Sequence, residues 1–163
     1  MEELVIVGKV INFFGIKGEL KVKSDFDKRS RVFKIGNHIL INNEVLKITS
    51  VRIHKNNYLI RVNDINDINL VTKYIGFNVY FKKSDLGLTE NEYILEELIG
   101  ATVVDGNENI GKVLEIYTSS NMNYIKVEYG NKTYLIPLID EYIDHFNRDT
   151  KTIYTNNGKS LCL

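Results

Sequence analysis

The chain has 163 residues, 44% of them hydrophobic and 26% charged, with 21 Lys and Arg against 21 Asp and Glu. These are the proportions of a soluble globular protein, long enough for one ordinary domain or two small ones, and they exclude a disordered or fibrous chain. The single cysteine, Cys162, forbids an internal disulfide, no apolar run approaches the roughly 18 residues of a membrane span, and the acidic start Met1-Glu2-Glu3 is unlike a secretory leader, so a cytoplasmic protein is expected.

Read in chain order, the first half is a succession of strands. Residues 4–13 and 19–24 flank a loop whose glycines, Gly15 and Gly18, enclose one cation, Lys17. Charged and apolar residues alternate after the loop, so Lys21 and Lys23 share the wet face of a strand. Residues 29–33 read as a turn or short strand, and strands follow at 38–41, 46–53 and 58–62. The pairs Asn42-Asn43 and Asn56-Asn57 tolerate positive φ and read as hairpin turns. Asp67 is placed to cap a helix with Ile68, Val71 and Ile75 on one face and Gly76 as its stop, a plug for one end of a barrel. A closing strand at 77–81 ends a first domain over residues 1–83; short strands at this spacing indicate a small sandwich or barrel.

Residues 84–92 are polar and read as a linker, and residues 93–163 form a second β unit. It opens on a short turn or helical piece at 93–100, ending in Gly100, and continues with strands at 101–104, 109–117, 124–129 and 132–136. Asp105-Gly106 and Gly130-Asn131 are turn dipeptides, and Pro137, the only proline, ends its strand. Ile139, Tyr142, Ile143 and Phe146 suit a short amphipathic turn or helix, and Ile153-Tyr154 a last edge strand.

The zero net charge conceals a division. Residues 1–83 hold 15 Lys and Arg against 8 Asp and Glu, a net +7, while residues 84–163 hold 6 against 13, a net −7. A basic module suits a polyanion and an acidic one suits a basic protein. Lys17, Lys21, Lys23, Lys28, Arg29 and Arg31 crowd one window; such cations contact phosphates without reading sequence. No motif for catalysis is found: there is no nucleophile elbow, no phosphate-binding P-loop and no zincin helix. His38, His54 and His145 lack ligand spacing, the adjacent Glu96-Glu97 point apart, and Cys162 has no evident activating base, so neither cofactor nor metal is expected.

The ordered set Val7-Gly8-Lys9-Val10, Gly15-Ile16-Lys17-Gly18-Glu19-Leu20-Lys21-Val22, Asp67 to Gly76, Tyr93 with Glu97-Leu98-Ile99-Gly100, Gly111-Lys112-Val113 and Leu135-Ile136-Pro137 resembles the RimM family of bacterial ribosome maturation factors over nearly the whole chain. The resemblance implies a mainly β fold of two small barrels: a six-stranded, translation-factor-like barrel, then a PRC-type barrel. It implies a non-enzymatic factor that binds the head of the immature small subunit; the sequence leaves the oligomeric state open, with a monomer the simplest expectation. Its partners would be small-subunit ribosomal protein nineteen and nearby 16S rRNA. Lys17, Lys21, Lys23, Arg29 and Arg31 would then face RNA. The family's aromatic motif, two tyrosines and a tryptophan, is reduced here to Tyr93-Ile94-Leu95, and Glu97 stands where the family has aspartate. Ribosome binding therefore carries over to Tyr93, with Ile94, Leu95 and Leu98 as apolar anchors beside it; the alternative is that Tyr93, Ile94 and Leu95 pack beneath the linker. The alternatives are a cofactor-dependent enzyme on a translation-factor-like barrel and a PRC-barrel structural adaptor.

Overall fold

The computed structural model describes residues 2–163. The chain divides into two compact units, the first ending at Gly87 and the second beginning at Leu88.

In the first unit, strands β1 (Leu4–Phe14), β2 (Glu19–Lys23), β3 (His38–Ile41), β4 (Glu44–His54), β5 (Asn57–Val62) and β6 (Asn78–Lys82) pair in the order β1-β2-β5-β4-β3-β6, and β6 returns to β1. The closed ladder leaves no edge to pair with another chain. Alternation along the strands fills its interior: Val7 and Val10, Leu20 and Val22, Ile39 and Ile41, Leu46 and Ile48, Ile60 and Val62, Val79 and Phe81 are all buried. β1 is bulged against both neighbours, between Ile6 and Gly8 and between Val10 and Asn12, which lets one long strand bend around a small barrel. A side chain at Gly8 would stand 2.9 Å from the Lys23 carbonyl oxygen, so this position requires glycine for close approach.

Residues Arg29–Val32, expected as a turn or short strand, form a single α-helical turn, α1, with Val32 and Phe33 buried. Two local expectations are corrected. The β4–β5 turn uses Lys55 and Asn56, with φ of 48° and 66°, while Asn57 pairs with His54; in this register Ile60 and Val62 face the core. The β3–β4 turn does use Asn42 and Asn43, at φ 50° and 64°. The expected helix after Asp67 is two 3-10 turns, Ile68–Leu70 and Thr72–Tyr74. Asp67 does cap the first, its side chain accepting from the Asn69 N–H at 2.9 Å. The buried residues are Val71 and Tyr74, three apart as a 3-10 turn requires, and Ile68 and Ile75 stay half-buried. Gly76 then donates its N–H to the Val10 carbonyl at 2.8 Å.

Tyr74 fastens this cover to the β3–β4 hairpin. Its hydroxyl donates to Glu44 Oε2 at 2.5 Å, and Lys73 reaches Glu44 Oε1 at 3.2 Å. Burial and the neighbouring carboxylate push the Tyr74 phenol from 10.0 up to about 12. An unfolded tyrosine ionises first, so the stability this phenol contributes is complete below pH 10 and is lost as pH rises toward about 12. Denaturant midpoints measured across that window should fall for the natural protein and fall less for Tyr74→Phe.

The second unit has strands β7 (Thr102–Asp105), β8 (Glu108–Ser119), β9 (Met122–Tyr129), β10 (Lys132–Pro137), β11 (Ile143–Asn147) and β12 (Thr152–Thr155), ordered β10-β9-β8-β7-β12-β11. Ile125 and Val127 face the core with Val103, Val113, Ile136 and Ile153, whereas Tyr129, on the same alternation, is exposed at the strand end. Two further expectations change. Residues 143–147 are a strand, with Phe146 as their buried anchor and a bulge between Ile143 and His145 that disguises the alternation. β12 is an interior strand, antiparallel to β11 and parallel to β7. Gly100 donates its N–H to the Val113 carbonyl at 2.8 Å, and Pro137 closes β10 opposite Tyr124.

Asp105, expected in a turn, ends β7 and is buried. Its carboxylate accepts from the Thr155 hydroxyl at 3.2 Å and from the backbone N–H groups of Gly158 at 3.2 Å and Lys159 at 3.3 Å, so it holds the C-terminal turn Gly158–Leu161 in place. Asp105→Ala strands those donors and should cost about 1–3 kcal/mol in chemical denaturation. The tail docks on β10 through Cys162 opposite Tyr134 and the Leu163 N–H on the Thr133 carbonyl at 2.7 Å. Among the described residues no helix is long and apolar enough to cross a membrane.

Candidate functional site

Two surfaces gather the residues singled out in the sequence. On the first unit, Gly15 and Gly18 turn the β1–β2 hairpin at φ 66° and 82°. A side chain at Gly18 would meet the Ile65 carbonyl at 3.0 Å, so the tip is seated on the 65–67 loop. Ile16, 79% exposed, and Lys17 project from it. Lys23 is exposed and Lys21 half-buried on β2, and Lys9, directly opposite Lys23 on β1, adds a further exposed cation. None of these four lysines makes an ion pair among the described residues. Like charges placed across a strand pair repel, so the arrangement carries an electrostatic cost that an anion would relieve. Lys9 was not singled out from the sequence; its signal was its place in the alternation of β1 next to Val10.

The arginines of the same window are engaged differently. Arg29 donates to the Phe26 carbonyl at 3.1 Å and Arg31 to the Leu86 carbonyl at 3.3 Å, so both carry local fold contacts. Next to the turn itself, where Phe14 pairs with Glu19, Arg52 grips Glu19 with two hydrogen bonds of 2.8 and 2.9 Å and lies 5.2 Å from the Phe14 ring centre. The guanidinium holds the Glu19 carboxyl below its ordinary range. Phe14 also packs on His54 at 5.0 Å, which makes this corner of the barrel rigid.

On the second unit, the expected apolar anchors separate. Ile94 and Leu98 are 2% and 1% exposed and belong to the interior, which corrects their assignment as partner contacts. The alternative of packing inward holds for these two. Tyr93 and Leu95 are half-buried. Tyr93 meets Phe146 edge to face at 6.0 Å. Arg148 lies over the other aromatic partner, 6.0 Å from the Phe146 ring, and binds Glu97 at 2.9 Å and the Glu92 carbonyl at 2.6 Å. Segment 92–98 is thereby locked to β11. The acidic character of the unit is displayed by Glu90, Asp140, Glu141 and Asp149, all exposed and without an ion pair among the described residues. Moving Asp85 with the first unit leaves the two units at +6 and −6.

Comparison with known proteins agrees with this division. Residues 5–86 match the RimM N-terminal domain and residues 90–161 the PRC-barrel domain. The ribosome maturation factor RimM of Staphylococcus haemolyticus is 38% identical over 91% of this chain and 93% of its own, and that of Staphylococcus epidermidis is 37% identical over the same shares. Among solved structures, a 16S ribosomal RNA processing protein RimM from Pseudomonas aeruginosa aligns over 94% of this chain and 97% of its own, at 18% identity and a TM-score of 0.47. With a RimM N-terminal domain followed by a PRC-barrel and full-length relatives above one-third identity, the chain belongs to the RimM family.

Proposed function

We propose that this protein is a ribosome maturation factor that acts by binding, without catalysis. Its role on the ribosome is supported by near full-length similarity to proteins named as ribosome maturation factors. The finer reading is that it engages the head of the immature small subunit through small-subunit ribosomal protein nineteen and adjacent 16S rRNA. The observation that carries this is the charge division falling on separate folded units: unpaired lysines on the first, unpaired carboxylates on the second. The lysines of the β1–β2 hairpin suit phosphates, and the acidic unit suits a cationic ribosomal protein. A factor that binds one conformer of the head more tightly than another shifts the population toward it with no chemical step.

Tagged protein incubated with lysate and resolved by sedimentation tests this. Co-migration with free small subunits and absence from complete ribosomes is the expected result. Migration at the top of the gradient in the presence of immature subunits would remove the ribosomal reading.

A further inference from the structure

We propose that the outer edge of β11 is a docking site for an extended, cationic protein segment, which joins the second unit's sheet as an added strand. The inference rests on the reading that this unit engages a basic protein, and names how it does so. The sheet has two ends, and they are treated differently. β10 is covered by the chain's own tail, through Cys162 and Leu163. β11 is the other end, paired only with β12. Among the described residues, no backbone group outside β12 hydrogen-bonds to the backbone of residues 144–147. Such a row of open N–H and C=O groups is a template for β-addition.

The surroundings select the occupant. Asp140, Glu141 and Asp149 bracket the strand and Asp144 lies within it; of the two basic side chains in that stretch, His145 sits 2.6 Å from Asp144 and Arg148 is engaged by Glu97. Half-buried Tyr142 and Ile143 lie against the core at the same strand, a partly exposed apolar shelf beside Phe146. A segment alternating cations and apolar residues matches both features, with one face extending the core layer and the other meeting carboxylates. Charge and a bulge at an edge ordinarily discourage pairing. Here the net charge is negative, so it disfavours acidic strands and recruits basic ones.

The test uses the full chain and a peptide of about eight residues alternating lysine and valine, an ordinary strand length. Amide shifts on titration should centre on residues 143–147. Two further peptides carry backbone N-methyl groups on alternate residues, in opposite frames. One frame removes the donors that face β11 and should weaken binding roughly tenfold or more, while the other leaves it nearly unchanged. The triple variant Asp140→Lys, Asp144→Lys, Asp149→Lys should bind the parent peptide far more weakly. Equal affinity of the two methylated frames overturns strand addition, and equal binding of a glutamate and valine peptide overturns the cationic occupant. Small-subunit capture separates the two ideas. If the triple variant still co-sediments with small subunits as the natural protein does, the edge is not the ribosomal contact, and the proposed function stands without it. If the natural protein never co-sediments but the methylated frames differ, the function fails and the edge is a docking site for some other cationic segment.

Discussion

Replacing Lys17, Lys21 and Lys23 together by glutamate is expected to weaken association with small subunits sharply at low salt and to flatten its salt dependence. Each phosphate contact contributes a slope of roughly 0.7–0.9 in log K against log salt. Loss of three contacts should therefore shrink the fall in affinity between 50 and 200 mM salt by roughly 20- to 40-fold. The lysines are suited to this test because they have no ion pairs to lose among the described residues, so the variant should keep the natural denaturation midpoint. Arg31 is a poorer choice, because its contact with the Leu86 carbonyl makes a binding defect inseparable from a fold defect. Binding titrated over the same salt range is the measurement. A variant with full affinity and an unchanged slope would take RNA contact away from this hairpin.

The lysines and the anchors differ in how far the sequence could speak for them. Alternation along β2 placed Lys21 and Lys23 on a face opposite Leu20 and Val22, and the structure has those two valine and leucine side chains fully buried. Strand existence was legible wherever period-two patterning ran between strong turn residues, as in the Asn42-Asn43 hairpin. It failed where a bulge broke the period. Residues 139–146 read as a turn or helix because Ile139, Tyr142, Ile143 and Phe146 recur at three and four; Ile139 and Tyr142 precede the strand, and the extra residue between Ile143 and His145 sets Ile143 and Phe146 three apart within it. The same limit applies to Ile94 and Leu98. A short apolar cluster beside a tyrosine reads alike whether it faces a partner or a core, and only the tertiary packing around Leu98 and Val113 decides. Alternation next to Val10 put Lys9 on the wet face of β1, but its place opposite Lys23 is set by register, which is a long-range property.

Gly111→Ala is expected to abolish the native second unit. Gly111 is buried in β8 with φ at 131°, where side chains are rarely tolerated. A Cβ there would lie 2.3 Å from the Glu128 carbonyl oxygen and 2.7 Å from its carbon. Both are backbone atoms in the adjoining strand, so no rotamer change relieves the overlap. β8 is hydrogen-bonded to β7 on one side and β9 on the other, and the Gly111 position lies where the β7–β8 register shifts, between Val103 and Val104. Relieving the contact means separating β8 from β9 or turning the backbone out of its conformation. Overpacking typically costs about 1–3 kcal/mol, and a strained backbone angle adds a similar amount. Together these approach the low end of total domain stability, about 5 kcal/mol. In two-dimensional NMR of the full chain, amide dispersion should collapse for residues 88–163. Resonances of the first unit should persist, because the clash touches none of its residues. Native dispersion in the second unit, with an unfolding midpoint close to that of the parent, would mean that the β8–β9 ladder yields to an added methyl and that the glycine serves another purpose.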